Sequence, residues 1–287
     1  MRRVQTPFFS FLSDDDVLFP NFYASVLPGF EAHPQAMMSI GSTLEFGEDG
    51  ELLYAPLALW KRNGLYAAPA GAFEMLSNRH PTWTSIVFRR ELLDSIGFLD
   101  LQVGPPADLD YELRAAARFP IVVTFEPCGA YVRHAGAASI REDTRIVSGF
   151  EKIISNLVSD EHIALSDRKR FRSRLTKQIQ SKLLEICVKS LLRGDDATSR
   201  EAAATLGKRY GRRLQEATLN AMIWAYVHFG VARALLRRVE LARLHFRART
   251  SRKGQQSKTT LSETSLRAYA AYVIGADEAP QVNSLLR

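Results

Sequence analysis

The stretch "TPFFSFLSDDDVLFP", residues 6–20, predicts a β-strand that runs directly into three consecutive aspartates. The strand, residues 7–12, is short and rich in aromatic residues, which favour strands. Asp14, Asp15 and Asp16 repel one another unless a cation neutralises them, and carboxylate oxygens are the ligands that Mg²⁺ and Mn²⁺ prefer. The residues leave open a metal-free alternative, in which the triplet is an exposed acidic turn that caps the following segment.

Strands and helices alternate along the rest of the first half. The stretch "TSIVFRRELLDSIGFLD", residues 84–100, predicts a strand followed by a helix that ends at Gly97. The stretch "ADLDYELRAAARF" predicts a helix, followed by a strand in "PIVVTFEP" and a short extended run in "AYVRHAG". "FGEDGEL", residues 46–52, predicts a hairpin. Alternation of this kind predicts an α/β sheet with functional residues at the strand ends.

The two halves of the chain differ in charge and in pattern. Residues 1–150 hold 12 Lys and Arg against 18 Asp and Glu, whereas residues 151–287 hold 26 against 13. The second half has apolar residues at three- and four-residue spacing, which predicts helices, with a break at Gly194 and Asp195. We therefore predict a sheet domain over residues 1–147 and a basic, all-helical region over 148–287, in which residues 247–260 form a solvated basic loop.

Composition limits the remaining classes of protein. The chain has 287 residues, of which 46% are hydrophobic and 24% charged, a balance that is typical of folded proteins. Cys128 and Cys187 are too far apart for a CxxC motif, which favours free thiols in a reducing compartment. The stretch of residues 219–236 approaches the length of a membrane span, but Asn220, His228 and Arg233 would be costly at a bilayer centre. We expect a cytoplasmic protein, peripheral at most at the inner face of the membrane.

Two further sets of polar residues are candidates for chemistry. Asp108 and Asp110 open a predicted helix, where acidic side chains are favoured by the helix dipole whatever the function. His134 follows a predicted strand, and taken alone it is equally consistent with a surface imidazole.

Together these segments occur in an order that resembles the family 2 glycosyltransferases, the inverting enzymes of the GT-A fold. The resemblance covers about residues 5–140. It is carried by "FLSDDDVLFP", "HPTWTSIVFRRELLDSIGFLD", "ADLDYELRAA" and "YVRHAG" followed by Ser139. Each motif is weak alone, but four in the family's order are fairly specific. The resemblance implies a partial, Rossmann-like GT-A sheet domain followed by the all-helical region.

The resemblance also implies roles for individual residues. Asp15 would bind the metal, Mn²⁺ or Mg²⁺, and Asp14 the ribose of a nucleotide-diphosphate sugar, with Asp16 a supporting or alternative contact to metal and donor. Asp108, six residues before Arg114, would be the catalytic base. The remaining roles fall to His134, with Ser139 after it, at the metal or diphosphate, and to His80, Trp83, Thr84 and Asp110 at the acceptor.

The sequence departs from the family pattern at three places. Ala107 stands where an acidic residue usually precedes the base, and Ser13 stands where many members have the first aspartate. The family begins with βα units that bind the nucleotide base, whereas this chain begins just before the metal motif. Three such units of about 30 residues each would amount to roughly 90 residues. We therefore do not expect this chain to be active alone.

The expected function is metal-dependent transfer of a sugar to an acceptor hydroxyl of a glycan or a lipid-linked glycan, in surface polysaccharide synthesis. One alternative is a non-catalytic remnant or a partner-dependent half of such an enzyme. Another gives the working role to the basic helices, as a membrane-surface or nucleic-acid binding module, although we do not expect nucleic acid as a partner. Clustered aspartates would also suit a metal-dependent phosphoesterase, which lacks further support in the sequence.

Overall fold

The computed structural model describes residues 1, 3–47, 52–77, 80–133, 145–236 and 238–239. These residues divide into two compact units. The described residues of the first, the sheet unit, fall within Met1–Leu99 and Asp108–Ala137. Those of the second, the helical unit, fall within Asp100–Ala107 and Ala138–Thr250. The predicted boundary at residue 147 stays a prediction, as does the role of each part.

The sheet unit is built on seven described strands. They are β1 (Phe8–Ser10), β2 (Asp16–Leu18), β3 (Met38–Gly47), β4 (Leu52–Tyr54), β5 (Gly64–Tyr66), β6 (Ile86–Arg89) and β7 (Ile121–Arg133).

These strands form one mixed sheet in the order β1-β6-β3-β7-β2, to which β4 adds by pairing with β3 and β5 by pairing with β7. The long strands β3 and β7 run parallel, with Met38 opposite Ile121, and the other pairings are antiparallel. Parallel central strands are usually covered on both faces. Met38, Ile40 and Leu44 accordingly have no solvent exposure.

Five described helices accompany the sheet, and their boundaries follow local sequence signals. Pro28 lies at the first position of the second helix, where its missing N–H costs nothing. Gly97 ends the fourth with φ 76°, as the predicted glycine stop requires. The helices are α1 (Phe22–Val26), α2 (Pro28–Ala32), α3 (Ala70–Ser77), α4 (Glu91–Ile96) and α5 (Ala107–Arg118).

The described part of the helical unit contains four helices, in the half of the chain for which the apolar spacing predicts helical structure. Asp195 begins the third of them by accepting a hydrogen bond from the Thr198 N–H at 3.0 Å, so the predicted break at this point is confirmed. Gly211 ends that helix in the left-handed conformation. The helices are α6 (Arg145–Ser159), α7 (Leu165–Leu192), α8 (Asp196–Tyr210) and α9 (Arg213–His228).

The predicted mixture of sheet and helix is therefore confirmed in its coarse form, and so is the hairpin, because β3 and β4 pair antiparallel with Phe46 opposite Leu52. The strand before the aspartates is shorter than predicted: β1 ends at Ser10, and three residues separate it from Asp14. In the described part of the chain no single helix is long and apolar enough to cross a membrane. By length and composition alone, α9 and Gly230–Leu236 would pass together, with a bend of 119° between them.

Candidate functional site

The three aspartates lie in the turn that connects β1 to β2. The backbone N–H of Asp16 donates to the carbonyl oxygen of Ser13 at 3.2 Å, which closes the turn. Asp14 is exposed, Asp15 is half-buried and Asp16 is buried as the first residue of β2, opposite Tyr131 of β7. The three carboxylates therefore become more deeply buried from Asp14 to Asp16. We call residues 13–16 the acidic turn.

Asp16 is a buried carboxylate with one unsatisfied oxygen. Asp16 is 8% exposed. Its Oδ2 accepts a hydrogen bond from the hydroxyl of Thr84, while Oδ1 has no hydrogen-bond partner among the described residues. Burial, together with the charges of Asp15 and Asp14, raises the pKa of Asp16 to about 6 against the opposing effect of Thr84. A cation at this turn would satisfy the free oxygen and offset the repulsion.

Trp83 and Thr84 hold the acidic turn against the strand that follows them. The Trp83 ring stacks on Phe11 with centroids 4.6 Å apart, and its indole N–H donates to the Ser13 hydroxyl at 3.4 Å. Thr84 is fully buried, so its hydroxyl positions Asp16 rather than facing an open surface. The structure therefore brings together two motifs that are separated by about seventy residues in sequence.

A second cluster of titratable groups lies on α5. Asp108 and Glu112 are four residues apart, and therefore on the same face of the helix. The Oε2 of Glu112 lies 3.5 Å from Nδ1 of His80, and the Glu112 side chain is only 1% exposed. Neither Glu112 oxygen has a hydrogen bond among the described residues. The contact with His80 is therefore an ion pair without a hydrogen bond, and it is the charged contact that Glu112 makes among the described residues.

The charges of this cluster raise the pKa values of two of its members. Burial by itself would lower the pKa of His80, but the nearby carboxylates of Glu112 and Asp108 outweigh it and raise that pKa. Burial and the Asp108 charge raise the pKa of Glu112 against the opposing effect of His80. The His80 side chain is 37% exposed, so the imidazolium remains accessible to solvent or to a bound molecule.

Asp110 and Arg114, on the same helix, form an ion pair that has a structural role. Asp110 has no solvent exposure, and its Oδ2 accepts from Nε of Arg114 at 2.7 Å. The other guanidinium nitrogens donate to the carbonyl oxygens of Ile96 and Phe98 at 2.6 and 2.9 Å. Arg114 thus joins α5 to the C-terminal end of α4. The structure places Asp110 in this buried ion pair, and its acceptor role stays a prediction.

The remaining predicted site residues, His134 and Ser139, lie outside the described residues. In the described ranges no group of three or more His, Cys, Asp or Glu side chains has the geometry to hold a metal. Asp15 and Asp16 alone still suit a cation such as Mg²⁺, which is usually bound by one or two carboxylates together with substrate phosphates and waters. The metal assignment therefore stays a prediction that the unsatisfied oxygen of Asp16 favours.

Glu112 is the functional candidate that the motifs did not reveal. The signal in the sequence was its four-residue spacing from Asp108. Compared with models of known protein families, the chain matches none, and comparison with curated proteins also finds no match.

The substitution Asp16→Asn is expected to flatten the pH dependence of stability in the metal-free protein. The folded-state pKa of about 6 lies above the ordinary value of 3.8, so the free energy of unfolding falls as the pH rises between these values. The loss is at most about 3 kcal/mol. Urea unfolding in chelator at pH 4 and pH 7 measures it, with Asp94→Asn, on the exposed face of α4, as the control. An equal pH dependence in wild type and Asp16→Asn would contradict the assignment.

The substitution Glu112→Gln is expected to lower the pKa of His80 by about 1 to 3 pH units, because it removes the closest negative charge. Proton NMR of the imidazole measures this directly, with the 70% exposed ring of His162 as an internal control. Since folding raises the pKa of His80, its stabilising contribution is complete below the ordinary value near 6.5 and is lost as the pH passes the folded-state value. An unchanged titration of His80 would show that Glu112 does not hold its proton.

Proposed function

We propose that this chain is a glycosyltransferase of the GT-A type, which transfers a sugar from a nucleotide-diphosphate donor to an acceptor hydroxyl with inversion. The observation that carries the proposal is that the segment of residues 80–84 contacts both carboxylate clusters. At one end His80 contacts the cluster of Asp108 and Glu112. At the other end Trp83 and Thr84 contact the acidic turn.

This segment limits how far apart the two clusters lie. Four residues of fully extended chain span at most about 14 Å between Cα atoms. A nucleotide-sugar diphosphate held at the acidic turn and an acceptor held beside Asp108 can therefore belong to one site within the sheet unit. Both clusters contain carboxylates. Those of the acidic turn would bind a metal, and that of Asp108 would accept a proton.

The proposed reaction is a single displacement. The acceptor hydroxyl oxygen forms the new bond to the anomeric carbon, its proton passes to a carboxylate oxygen of Asp108, and the bond from the anomeric carbon to the diphosphate breaks with its electron pair. Asp15 and Asp16 would hold a divalent cation, which stabilises negative charge on a leaving diphosphate. Thr84 and Trp83 fix the turn that carries these ligands, and His80 presents a protonated imidazole on the acceptor side.

A direct test measures the binding of Mn²⁺ by electron paramagnetic resonance. The metal is added alone and together with the diphosphate sugars of uridine, guanosine and thymidine. We expect weak binding of Mn²⁺ alone, stronger binding with one of the donors, and loss of both in Asp15→Asn. Asp94→Asn is the control, since that side chain is 69% exposed on α4 of the same unit.

The second candidate is a non-catalytic remnant or partner-dependent half of such an enzyme. It is favoured by the burial of Thr84 and Asp110, two predicted acceptor residues that have no solvent exposure. It predicts that none of the three donors binds in the presence of Mn²⁺, and that outcome would overturn the enzymatic proposal.

A further inference from the structure

Helix α9 has two apolar faces, of which only one is covered. Leu219, Ile223 and Tyr226 are buried in the core of the helical unit, together with residues of α7 and α8. The opposite face carries Leu214, which is 81% exposed, and Trp224, which is 54% exposed. A surface helix of a folded protein usually has one apolar face toward the core and a polar face toward solvent. The outer face of α9 therefore lacks a cover among the described residues.

The exposed face continues past the end of the helix. Val227, Phe229 and Val231 are exposed as well, and the Trp224 ring lies 5.4 Å from that of Phe229 in an edge-on arrangement. Leu236 packs against the helical core, which anchors the bent segment that follows α9. Exposed apolar patches of this kind usually mark binding surfaces. The residues of this surface, which we call the α9 patch, are Leu214, Trp224, Val227, Phe229 and Val231.

Positive charge lies at both ends of the α9 patch. Arg212 and Arg213 precede it, Arg233 and Arg238 follow it, and all four are exposed. Residues 208–239 contain seven Lys and Arg against a single acidic residue, Glu216. Exposed Trp, Phe, Val and Leu with basic side chains at both ends are typical of protein segments that lie in the interface of an anionic bilayer.

We propose that the α9 patch docks the helical unit on an anionic membrane surface, with Trp224 and Phe229 at the depth of the lipid headgroups. The charge of the patch favours this occupant over others. A second copy of the chain would bring two sets of these arginines together, and like charges repel. Residues 240–287 of this chain are also basic, with eight Lys and Arg against four Asp and Glu, so they would be repelled as well. Nucleic acid would use the arginines but would leave the aliphatic residues exposed.

Sedimentation of the full chain with vesicles tests the proposal. We expect binding to phosphatidylcholine vesicles that contain phosphatidylserine, little binding to phosphatidylcholine alone, and weakening by salt. The double variant Arg213→Gln/Arg233→Gln should bind about twenty-five-fold more weakly, since each basic residue near an anionic surface contributes about fivefold. The matched control is Arg172→Gln, an exposed arginine of α7.

The apolar contribution is tested with Trp224→Glu against Leu165→Glu. Leu165 is 60% exposed at the start of α7, about 20 Å along that helix from the part that contributes to the core with α8 and α9. We expect a loss of about tenfold or more for Trp224→Glu, because it removes one aromatic side chain from the membrane interface, and little change for Leu165→Glu. Both positions are exposed, so circular dichroism should show intact folding in both variants.

Quenching by brominated lipids reports the depth of the patch. Wild-type fluorescence should be quenched, whereas Trp224→Phe should still bind vesicles but lose the quenching. Of the two tryptophans that remain, Trp60 is fully buried and Trp83 is stacked on Phe11 in the sheet unit. Equal binding to neutral and anionic vesicles, or equal losses in the patch and control variants, would overturn the proposal. So would a dimer that Trp224→Glu dissociates in the absence of vesicle binding, since the patch would then join two copies of the chain.

Discussion

Replacement of Arg114 by methionine is expected to lower the free energy of unfolding by about 3–5 kcal/mol, which is the cost of removing one partner of a buried ion pair. The side chain of Arg114 is 11% exposed and that of Asp110 is fully buried. The substitution keeps most of the apolar volume but takes the cation from Asp110. It also removes the donors that reach the carbonyl oxygens of Ile96 and Phe98. Chemical denaturation at neutral pH measures the loss.

Arg90→Met is the matched control for this prediction. Arg90 also forms an ion pair four residues along a helix, with Asp94, but both side chains are largely exposed and the nitrogen and oxygen are 3.6 Å apart. An exposed pair contributes about 0–1 kcal/mol. Similar losses in the two variants would mean that the network of Arg114 is no more important than a surface pair. Addition of Asp110→Leu to Arg114→Met should recover part of the stability, because no unpaired carboxylate is then left buried.

Local signals predicted α4, α5, several strands and the helical character of the second half. Gly97 and Asp195 set helix ends through backbone conformation and capping, which depend on neighbouring residues only. The register of the sheet depends on distant residues. Asp16 pairs with Tyr131, 115 positions away, and that pairing makes the end of the acidic run the beginning of β2. The sequence placed all three aspartates after one strand because nothing near them indicates a second.

The candidate site was predictable in its residues but not in their partners. Asp108 and the acidic turn could be found from motifs, whereas the contact of Glu112 with His80 joins two segments 32 residues apart. Asp110 and Arg114 are four residues apart on a helix, which is enough to predict an ion pair. Their burial could not be predicted, because it arises where α5 meets the end of α4. The same arginine that contributes to the family resemblance therefore has a structural task in this fold.

The substitution Asp108→Asn is expected to reduce sugar transfer by about 10²- to 10⁴-fold, the range that general base catalysis provides. Asparagine also suits the first turn of a helix, so α5 should remain intact. Asp108 accepts the N–H of Leu109 at 2.7 Å, which fixes one carboxylate oxygen. Donor binding should be nearly unchanged, because the acidic turn is a separate cluster. Release of the nucleoside diphosphate measures transfer, and equilibrium dialysis of the donor with Mn²⁺ measures binding.

The pH profile distinguishes a catalytic Asp108 from an electrostatic one. The Asp108 charge raises the pKa values of His80 and Glu112, so its removal lowers both whatever the role of Asp108. If Asp108 only sets these charges, Asp108→Asn retains transfer with a shifted pH profile, and Glu112→Gln changes the profile in a related way. If Asp108 is the base, transfer is lost at every pH while Glu112→Gln keeps activity. Loss of donor binding in Asp108→Asn would instead assign Asp108 to the donor side of the site.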